Sequence, residues 1–197
     1  MYAYEQAALK NGCRHIAGVD EAGRGPLAGP VVASAVIFSK ANPPLGSGIK
    51  DSKKLTASRR AALSIEICRR AISVGVGVVW PADIDAINIH KASLLAMSRA
   101  VVSLDREPDL LLIDGLFPIE SKIPQQPIVS GDALSISIAA ASIIAKTLRD
   151  DVMHAYHRIY PAYNFASNKG YGTKEHIKAI ALHGPCPIHR RSFKGVL

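Results

Sequence analysis

Short apolar runs separated by glycine and proline give the first part of the chain the hydrophobic pattern of a β-sheet. His15–Asp20 and Val31–Phe38 are rich in β-branched and small apolar residues, and we expect them to form two neighbouring strands. Val74–Trp80 and Leu110–Ile113 have the same character and predict two further strands. A short edge strand is expected at Ile128-Val129.

Between these runs the apolar spacing changes to that of helices. Thr56 is a suitable N-cap for a helix that extends to about Ser73. Pro81 opens a second helical pattern, whose apolar face is formed by Ile84, Ile87, Leu94, Leu95 and Val101. Ile136–Tyr160 predicts one long helix, and Thr173–His183 predicts a short one. This alternation predicts an α/β fold in which helices flank a mixed sheet, as a single domain over residues 1–197.

The charge balance of the chain is strongly basic. Its 197 residues include 24 Lys and Arg against 16 Asp and Glu, which gives a formal net charge of +8. An excess of positive charge favours polyanionic partners such as nucleic acid. Many basic proteins bind no nucleic acid, so charge alone does not decide the partner.

Cysteine usage and hydropathy bear on the cellular compartment. A disulfide framework and a zinc site are both disfavoured by three widely spaced cysteines, Cys13, Cys68 and Cys186. His176 and His183 have no carboxylate at ligand spacing, and we interpret them as structural or surface residues. The N-terminus has no signal-peptide pattern, and the longest apolar runs are too short to cross a bilayer. We expect a cytoplasmic monomer with no membrane contact.

Acidic residues at the ends of predicted strands are the first candidates for chemistry. Asp20 and Glu21 close the first strand, Asp114 follows Leu110–Ile113, and Asp132 follows a short apolar pair. In open α/β sheets, ligands bind outside the carboxyl ends of strands, so these side chains can converge. Carboxylates without His or Cys ligands favour hard cations such as Mg²⁺ or Mn²⁺. Two such ions, about 3.5–4 Å apart, would suit phosphodiester hydrolysis.

Each acid taken alone also has a plain structural interpretation. Asp114-Gly115 is an ordinary turn dipeptide, and Asp132 is also a suitable N-cap for the long helix. Asp20 and Glu21 are harder to explain in this way. Two adjacent like charges at the end of a buried strand repel each other unless a counter-ion is present.

Glycines, basic residues and one aromatic residue supply candidate phosphate and sugar contacts. Gly23-Arg24-Gly25 offers backbone amides and a guanidinium beside the acid pair. Lys169 and Tyr171 lie next to glycines that allow a ligand to approach, and the ring can stack on a base or sugar. Further candidates for phosphate contact are Lys50, Lys53, Lys54 and Arg190. A solvated loop, a turn with a packed tyrosine and an ordinary basic tail are the alternatives for these segments.

Seven short motifs, in order along the chain, resemble those of bacterial ribonuclease HII. The resemblance extends from about Ile16 to Phe193, nearly the whole chain. The motifs are Asp20-Glu21-Ala22-Gly23-Arg24-Gly25, Asp51-Ser52-Lys53-Lys54-Leu55, Ile113-Asp114-Gly115, Gly131-Asp132, Ala139-Ala140-Ala141-Ser142-Ile143-Ile144-Ala145-Lys146, Lys169-Gly170-Tyr171-Gly172-Thr173 and His189-Arg190-Arg191-Ser192-Phe193.

The resemblance implies a ribonuclease H-like fold and an endoribonuclease that uses Mn²⁺ or Mg²⁺. It would cleave the RNA strand of RNA–DNA hybrids and nick duplex DNA 5′ to embedded ribonucleotides, leaving a 5′-phosphate and a 3′-hydroxyl. The segment from about residue 160 to 197 would be a small helical extension that contacts the substrate. The chain ends four residues after Phe193, where many members continue with a helical tail, so weaker substrate affinity is expected.

The same resemblance assigns roles to individual residues. The metal ligands would be three carboxylates, Asp20, Glu21 and Asp114. Asp132 would be the fourth catalytic carboxylate, with Asp150 as the alternative. Gly23-Arg24-Gly25 would read the ribose 2′-OH and hold the phosphate, and Tyr171 would stack on the sugar at the RNA–DNA junction. Two other functions stay open, namely a different ribonuclease H-like nuclease such as a junction resolvase, and a non-catalytic nucleic-acid-binding protein of the same fold.

Overall fold

Five strands form one mixed sheet in the computed structural model, which describes residues 1–39, 49 and 55–196. In chain order the strands are β1 (Ile16–Ala22), β2 (Val31–Phe38), β3 (Ala71–Val79), β4 (Leu110–Asp114) and β5 (Gln125–Ile128). Across the sheet they follow the order β3-β2-β1-β4-β5. β1, β2 and β3 pair antiparallel, whereas β4 is parallel to β1 and β5 is parallel to β4. The predicted mixed sheet is confirmed.

Helices cover both faces of this sheet. In chain order they are α1 (Ala3–Lys10), α2 (Ala57–Arg70), α3 (Pro81–Ile87), α4 (Ile89–Val102), α5 (Gly131–Leu134), α6 (Ile136–Ile159), α7 (Phe165–Asn168) and α8 (Lys174–His183). On one face α4 packs against strand residues that include Val19 and Ile113. On the other face α2 and α6 pack against Val36 and Phe38. Among the described helices, none is long and apolar enough to span a membrane.

The largest differences from the predicted strand boundaries are at the start of β3 and at β5. The helix expected to continue to Ser73 ends at Arg70, and β3 begins at Ala71 because this end of β3 already pairs with Ile37 and Phe38 of β2. The edge strand begins at Gln125 and ends at Ile128, whereas it was expected at Ile128-Val129. β5 pairs only with β4, and an edge position tolerates the polar residues and the proline of this strand.

The second helical pattern is divided, and α1 and the one-turn helices α5 and α7 were not predicted. Asn88 has a φ of 70°, which ends α3 and starts α4 in place of one continuous helix. Its side-chain carbonyl accepts hydrogen bonds from the backbone N–H groups of His90 and Lys91, at 3.0 and 3.1 Å. This cap satisfies amides that a helix start otherwise leaves free. α1, near the N-terminus, has no counterpart in the sequence prediction.

The start of α6 lies unusually close to β1. A Cβ atom added to Gly18 would lie 2.0 Å from the carbonyl carbon of Ser137, so glycine is required for this contact. Glu5 of α1 fixes the same end of α6, because its Oε1 accepts hydrogen bonds from Ser135 Oγ at 2.6 Å and from the Ser137 N–H at 3.0 Å. A carboxylate at a helix N-terminus also interacts favourably with the helix dipole. These contacts determine where α6 crosses the sheet.

The C-terminal helices pack against the far half of α6. Met153 of α6, Phe165 of α7 and Ile180 of α8 belong to one hydrophobic cluster. Ala28, between β1 and β2, and Ile188, after α8, join the same cluster. The predicted C-terminal helical extension is therefore present, and it contacts the connection between the first two strands.

We predict that Glu5→Ala lowers the free energy of unfolding by about 2 kcal/mol, because it leaves amide and hydroxyl donors at a buried helix start without an acceptor. Urea denaturation followed by circular dichroism measures this change. Glu66→Ala is the control, because the Glu66–Arg70 pair on α2 is half-exposed and such pairs contribute at most about 0.5 kcal/mol. Equal losses for the two variants would contradict the prediction.

Candidate active site

Asp20 and Asp114 lie beside each other at the carboxyl ends of two parallel strands. The last pair in the register of β1 and β4 is Val19 with Ile113, one residue before each acid. Because side chains alternate along a strand, Asp20 lies on the same face as Gly18, which contacts α6. Ser142 of α6 donates a hydrogen bond to the Asp20 carboxylate. The predicted convergence of strand-terminal acids is present for these two residues.

A cavity of about 430 Å³ opens at this edge of the sheet. Three carboxylates line it, and the glycine-rich segment that follows β1 forms another part of its wall. The lining residues are Asp20, Glu21, Ala22, Gly23, Arg24, Gly25, Arg60, Asp114, Ser142, Lys146 and Tyr171. Acidic, basic and aromatic groups thus meet in one space.

The carboxylates lie close enough to disturb one another's ionisation. Burial raises the pKa of Asp20 well above its usual range, and the charges of Glu21 and Asp114 raise it further. Burial also raises the pKa of Glu21, and Asp114 adds to this effect, whereas the Arg24 guanidinium opposes it. The Arg24 Nη1 atom is 3.2 Å from Glu21 Oε1. Without a further cation the ionised form of this cluster is unfavourable.

The residues present fit a divalent metal ion. Glu21 Oε2 is buried and has no hydrogen-bond partner, which leaves a carboxylate oxygen without a cation or donor. Among the described residues, no three acid, histidine or cysteine side chains already have the spacing of a metal cage. Mg²⁺ does not require such a cage, because it usually binds one or two carboxylates and completes its shell with water and substrate phosphate.

The two candidates for a fourth carboxylate lie in different surroundings. Asp132 is in the first turn of α5, directly after Gly131, whose N–H donates to Asp114 Oδ1 at 2.7 Å. It is near Asp114 but is not among the residues that line the cavity. The two oxygens of Asp150 instead accept hydrogen bonds from Arg60 at 3.2 Å and from Lys146 at 2.7 Å.

The glycine-rich segment and Tyr171 are neighbours in the lining of the cavity. A Cβ atom added to Gly25 would lie 3.6 Å from Tyr171 Cε1. Gly23 has a φ of +98°, and a Cβ atom there would lie 2.1 Å from Arg149 Nε, so both its conformation and its contact require glycine. The side chain of Arg24 is 54% exposed and Tyr171 is 46% exposed, which leaves both available to a ligand.

Other predicted contact residues lie elsewhere. Arg190 is fully buried and donates hydrogen bonds to three backbone carbonyls, so it is not the surface phosphate contact that the sequence suggested. The Lys169 ammonium contacts His154 Nε2 at 2.7 Å and the carbonyl of Ala166, away from the cavity lining. Three further predicted contact residues, Lys50, Lys53 and Lys54, lie outside the described residues.

Three polar residues of the cavity were not selected from the sequence. Ser142 and Lys146 lie within the alanine-rich motif of α6, where a spacing of four residues places both on one helix face. Lys146 also precedes Asp150 by four residues, a spacing typical of a helical ion pair. Arg60 comes from α2, and no local pattern connects it with the acids. Only the packing of α2 against α6 brings it to the site.

A pair of buried histidines contacts the backbone of Tyr171. His176 Nδ1 lies 2.8 Å from the Tyr171 carbonyl, and His176 Nε2 lies 3.0 Å from His189 Nε2. The Cys186 N–H donates to His189 Nδ1 at 2.9 Å. These contacts are all satisfied when both rings are neutral, with His189 donating to His176 and His176 donating to the carbonyl. His176 is thus structural, in agreement with its sequence interpretation.

Comparisons with known proteins connect this site with one family. Residues 17–196 match the family model described as Ribonuclease HII. A Ribonuclease HII of Syntrophus aciditrophicus is 56% identical over 194 residues, which are 97% of this chain and 89% of that protein. The crystal structure of the ribonuclease H2 from Pyrococcus horikoshii has a TM-score of 0.78 at 26% identity and covers 92% of this chain and 95% of that one. Bst-RNase HIII, solved in complex with Mn²⁺, shares the fold at 21% identity and a TM-score of 0.73, with coverage of 96% and 70%.

The mixed sheet and its acid-lined edge define a nuclease of the ribonuclease H-like class. Within that class, a junction resolvase and a non-catalytic binding protein were the alternatives that the sequence left open. The nearly full-length matches support neither alternative, because both matches are to ribonuclease HII. The chain belongs to the ribonuclease HII family, and its activity is that of a ribonuclease H.

We predict that Asp20→Asn stabilises the metal-free protein, because it removes one charge from a buried, mutually repelling cluster. Each 1 kcal/mol gained would raise the Tm by about 2–4 °C in a chain of this size. Thermal unfolding in EDTA measures the change. Asp109→Asn is the control with the opposite sign, because backbone N–H groups of His15 and Arg14 lower the pKa of Asp109 and favour its charge. A lower Tm for Asp20→Asn would contradict the prediction.

We predict that protonation of His189 destabilises the fold in acid. Burial and the neighbouring His176 lower the pKa of His189 from 6.5 to about 4. The unfolded chain therefore binds more protons between these two values, and stability is lost as the pH falls through this window. His189→Gln should flatten the dependence of unfolding free energy on pH, whereas His183→Gln, at an exposed site, should retain it. Parallel curves for wild type and His189→Gln would disprove the assignment.

Proposed function

We propose that this protein hydrolyses the RNA strand of RNA–DNA hybrids and nicks duplex DNA 5′ to an embedded ribonucleotide. The products are a 5′-phosphate and a 3′-hydroxyl, and the cofactor is Mn²⁺ or Mg²⁺. One observation carries the proposal, which is that the acid cluster, Gly23-Arg24-Gly25 and Tyr171 line the same cavity. A single nucleotide must reach both the acids that bind cations and the loop that recognises ribose. Their location in one cavity supports the proposal.

Asp20, Glu21 and Asp114 would hold the metal, with Asp132 as a fourth carboxylate near Asp114. When bound, the metal supplies an activated water and neutralises charge on the leaving oxygen. Asp150 is the weaker candidate, because both of its oxygens already accept hydrogen bonds from cationic side chains. The ligands themselves are oriented by the protein, since the Glu21 N–H and Ser142 hydrogen-bond to Asp20, and the Gly131 N–H hydrogen-bonds to Asp114.

The remaining wall of the cavity would bind the substrate. Arg24 presents an exposed guanidinium beside the acids, suited to a phosphate oxygen. Arg60 and Lys146 also line the cavity, and their shared partner Asp150 holds both cations in place for the nucleic-acid backbone. Tyr171 would stack on the sugar at the junction. The three loop lysines and the C-terminal segment are expected to add backbone contacts, in line with the net charge of +8.

The enzyme assay uses a DNA duplex with one ribonucleotide, labelled at the 5′ end of the ribonucleotide strand, and Mn²⁺ or Mg²⁺. We expect a single nick 5′ to the ribonucleotide and a labelled fragment that a DNA polymerase can extend, which indicates a 3′-hydroxyl. An all-DNA duplex should remain intact. Asp20→Asn should reduce kcat by about 10³-fold or more, because a metal contributes several kcal/mol to the reaction.

Arg24→Ala tests substrate binding separately from metal binding. Loss of a charged hydrogen bond should reduce kcat/KM by about 10–100-fold. Arg106→Ala is a matched control, because it removes an exposed arginine that precedes β4, at the opposite end of that strand from Asp114. Absence of a nick with wild-type protein would refute the proposed function, and equal effects of the two arginine variants would refute the assignment of Arg24.

A further inference from the structure

Two buried arginines lie beneath the connection between β1 and β2, residues 23–30, which we call the recognition loop. Arg149 of α6 and Arg190 are each 0% exposed. Burial of a guanidinium is unfavourable unless its donors are satisfied, and buried cations are usually paired with an acid. Within the described part of the chain, neither arginine has a carboxylate within 4.0 Å. Another set of acceptors must therefore stabilise them.

Backbone carbonyls provide that set. Arg149 donates to the carbonyls of Pro30 at 3.0 Å, Ala28 at 3.0 Å and Lys169 at 2.9 Å. Arg190 donates to those of Gly29 at 3.0 Å, Arg24 at 2.9 Å and Gly23 at 2.6 Å. Five of these six carbonyls belong to the recognition loop. Charged hydrogen bonds of this kind are about twice as strong as neutral ones.

The arginines therefore determine which way the peptide groups of the loop point. In a trans peptide, the carbonyl of one residue and the N–H of the next are directed oppositely. The carbonyls of Gly23 and Arg24 point towards Arg190, so the N–H groups of Arg24 and Gly25 point away from it. In the residues that the structure describes, neither N–H donates a hydrogen bond within the protein. Gly23, Arg24 and Gly25 line the cavity.

Placing two arginines under one loop is electrostatically unfavourable, because both are buried and their charges repel each other. Burial lowers the pKa of Arg190 to about 9, and the charge of Arg149 contributes to the lowering. Burial also lowers the pKa of Arg149. The chain thus keeps two mutually repelling cations under one loop. Both arginines contact the loop that follows the acid pair along the chain and whose first residues line the cavity, which connects them with the site.

We propose that Arg149 and Arg190 are positioning residues that hold the recognition loop with the amides of Arg24 and Gly25 directed at the substrate, and so set the preference for ribose. This inference rests on the proposed function. Lysine keeps the charge but concentrates its donors at one point, so it cannot reach three separated carbonyls as the guanidinium fork does. Arg149→Lys and Arg190→Lys therefore remove the positioning and keep the charge.

The test compares binding of two duplexes, one with a single ribonucleotide and one all DNA, by fluorescence anisotropy in EDTA. Each lysine variant should reduce the preference for the ribonucleotide duplex by roughly tenfold or more, the fold-change for one lost charged hydrogen bond. Affinity for the all-DNA duplex should stay near the wild-type value, because surface charge sets it. Arg99→Lys is the control, since Arg99 also donates to a strand carbonyl, that of Val78, but on α4. Unchanged preference in lysine variants that melt cooperatively would overturn the inference.

A second measurement needs no substitution and covers the case in which the variants do not fold. In wild-type protein followed by NMR, the amide hydrogens of Arg24 and Gly25 should exchange rapidly and become protected when the ribonucleotide duplex binds. The all-DNA duplex should protect them much less. Equal protection by both duplexes would overturn the inference. Failure of the proposed function is distinguishable, because wild-type protein would then neither prefer nor nick the ribonucleotide duplex.

Discussion

The parallel pairing of β1 with β4 is the constraint on which the rest of the site depends. Residues distant in sequence, Asp20 and Asp114, become neighbours only because the register of these two strands ends at the same level. The close contact between Gly18 and the start of α6 then places Ser142 over the Asp20 carboxylate. A shift of one residue in this register would move one acid to the opposite face of the sheet.

The acid cluster and the two buried arginines near this edge of the sheet do not pair with each other. The acids lie together and raise one another's pKa, whereas the two buried arginines donate to carbonyls and have no carboxylate within 4.0 Å in the described part of the chain. Neither group is arranged for maximal stability of the free protein. A metal would complete the first group, and the second group keeps the recognition loop rigid without neutralising the carboxylates that the metal needs. In both groups, the free protein is less stable than it could be, and the arrangement favours binding of metal and substrate.

The sequence predicted those features that depend on local pattern. β2 has the predicted bounds, and α6 differs by one residue at its end, because apolar runs and a capped helix leave little choice. The carboxylates of the cavity were also recognised, since adjacent acids at a strand end have few structural uses. Local pattern could not reveal that Asn88 divides a helix or that α2 supplies Arg60. It also could not distinguish the buried Arg190 from a surface arginine, because burial there follows from packing between segments more than 160 residues apart.

The hydrogen bonds of the recognition loop have a consequence for the order of folding. Asp20, Glu21 and Asp114, with β1 and β4, are all present once the chain has reached residue 114, but the loop carbonyls acquire their donors only with Arg149 and Arg190. Ile188 adds a further bond to the Gly29 N–H, at 2.8 Å. During synthesis from the N-terminus, Asp20, Glu21 and Asp114 are therefore translated well before the two arginines that position the recognition loop. The backbone geometry of the recognition loop is thus completed only after residue 190 has been synthesised.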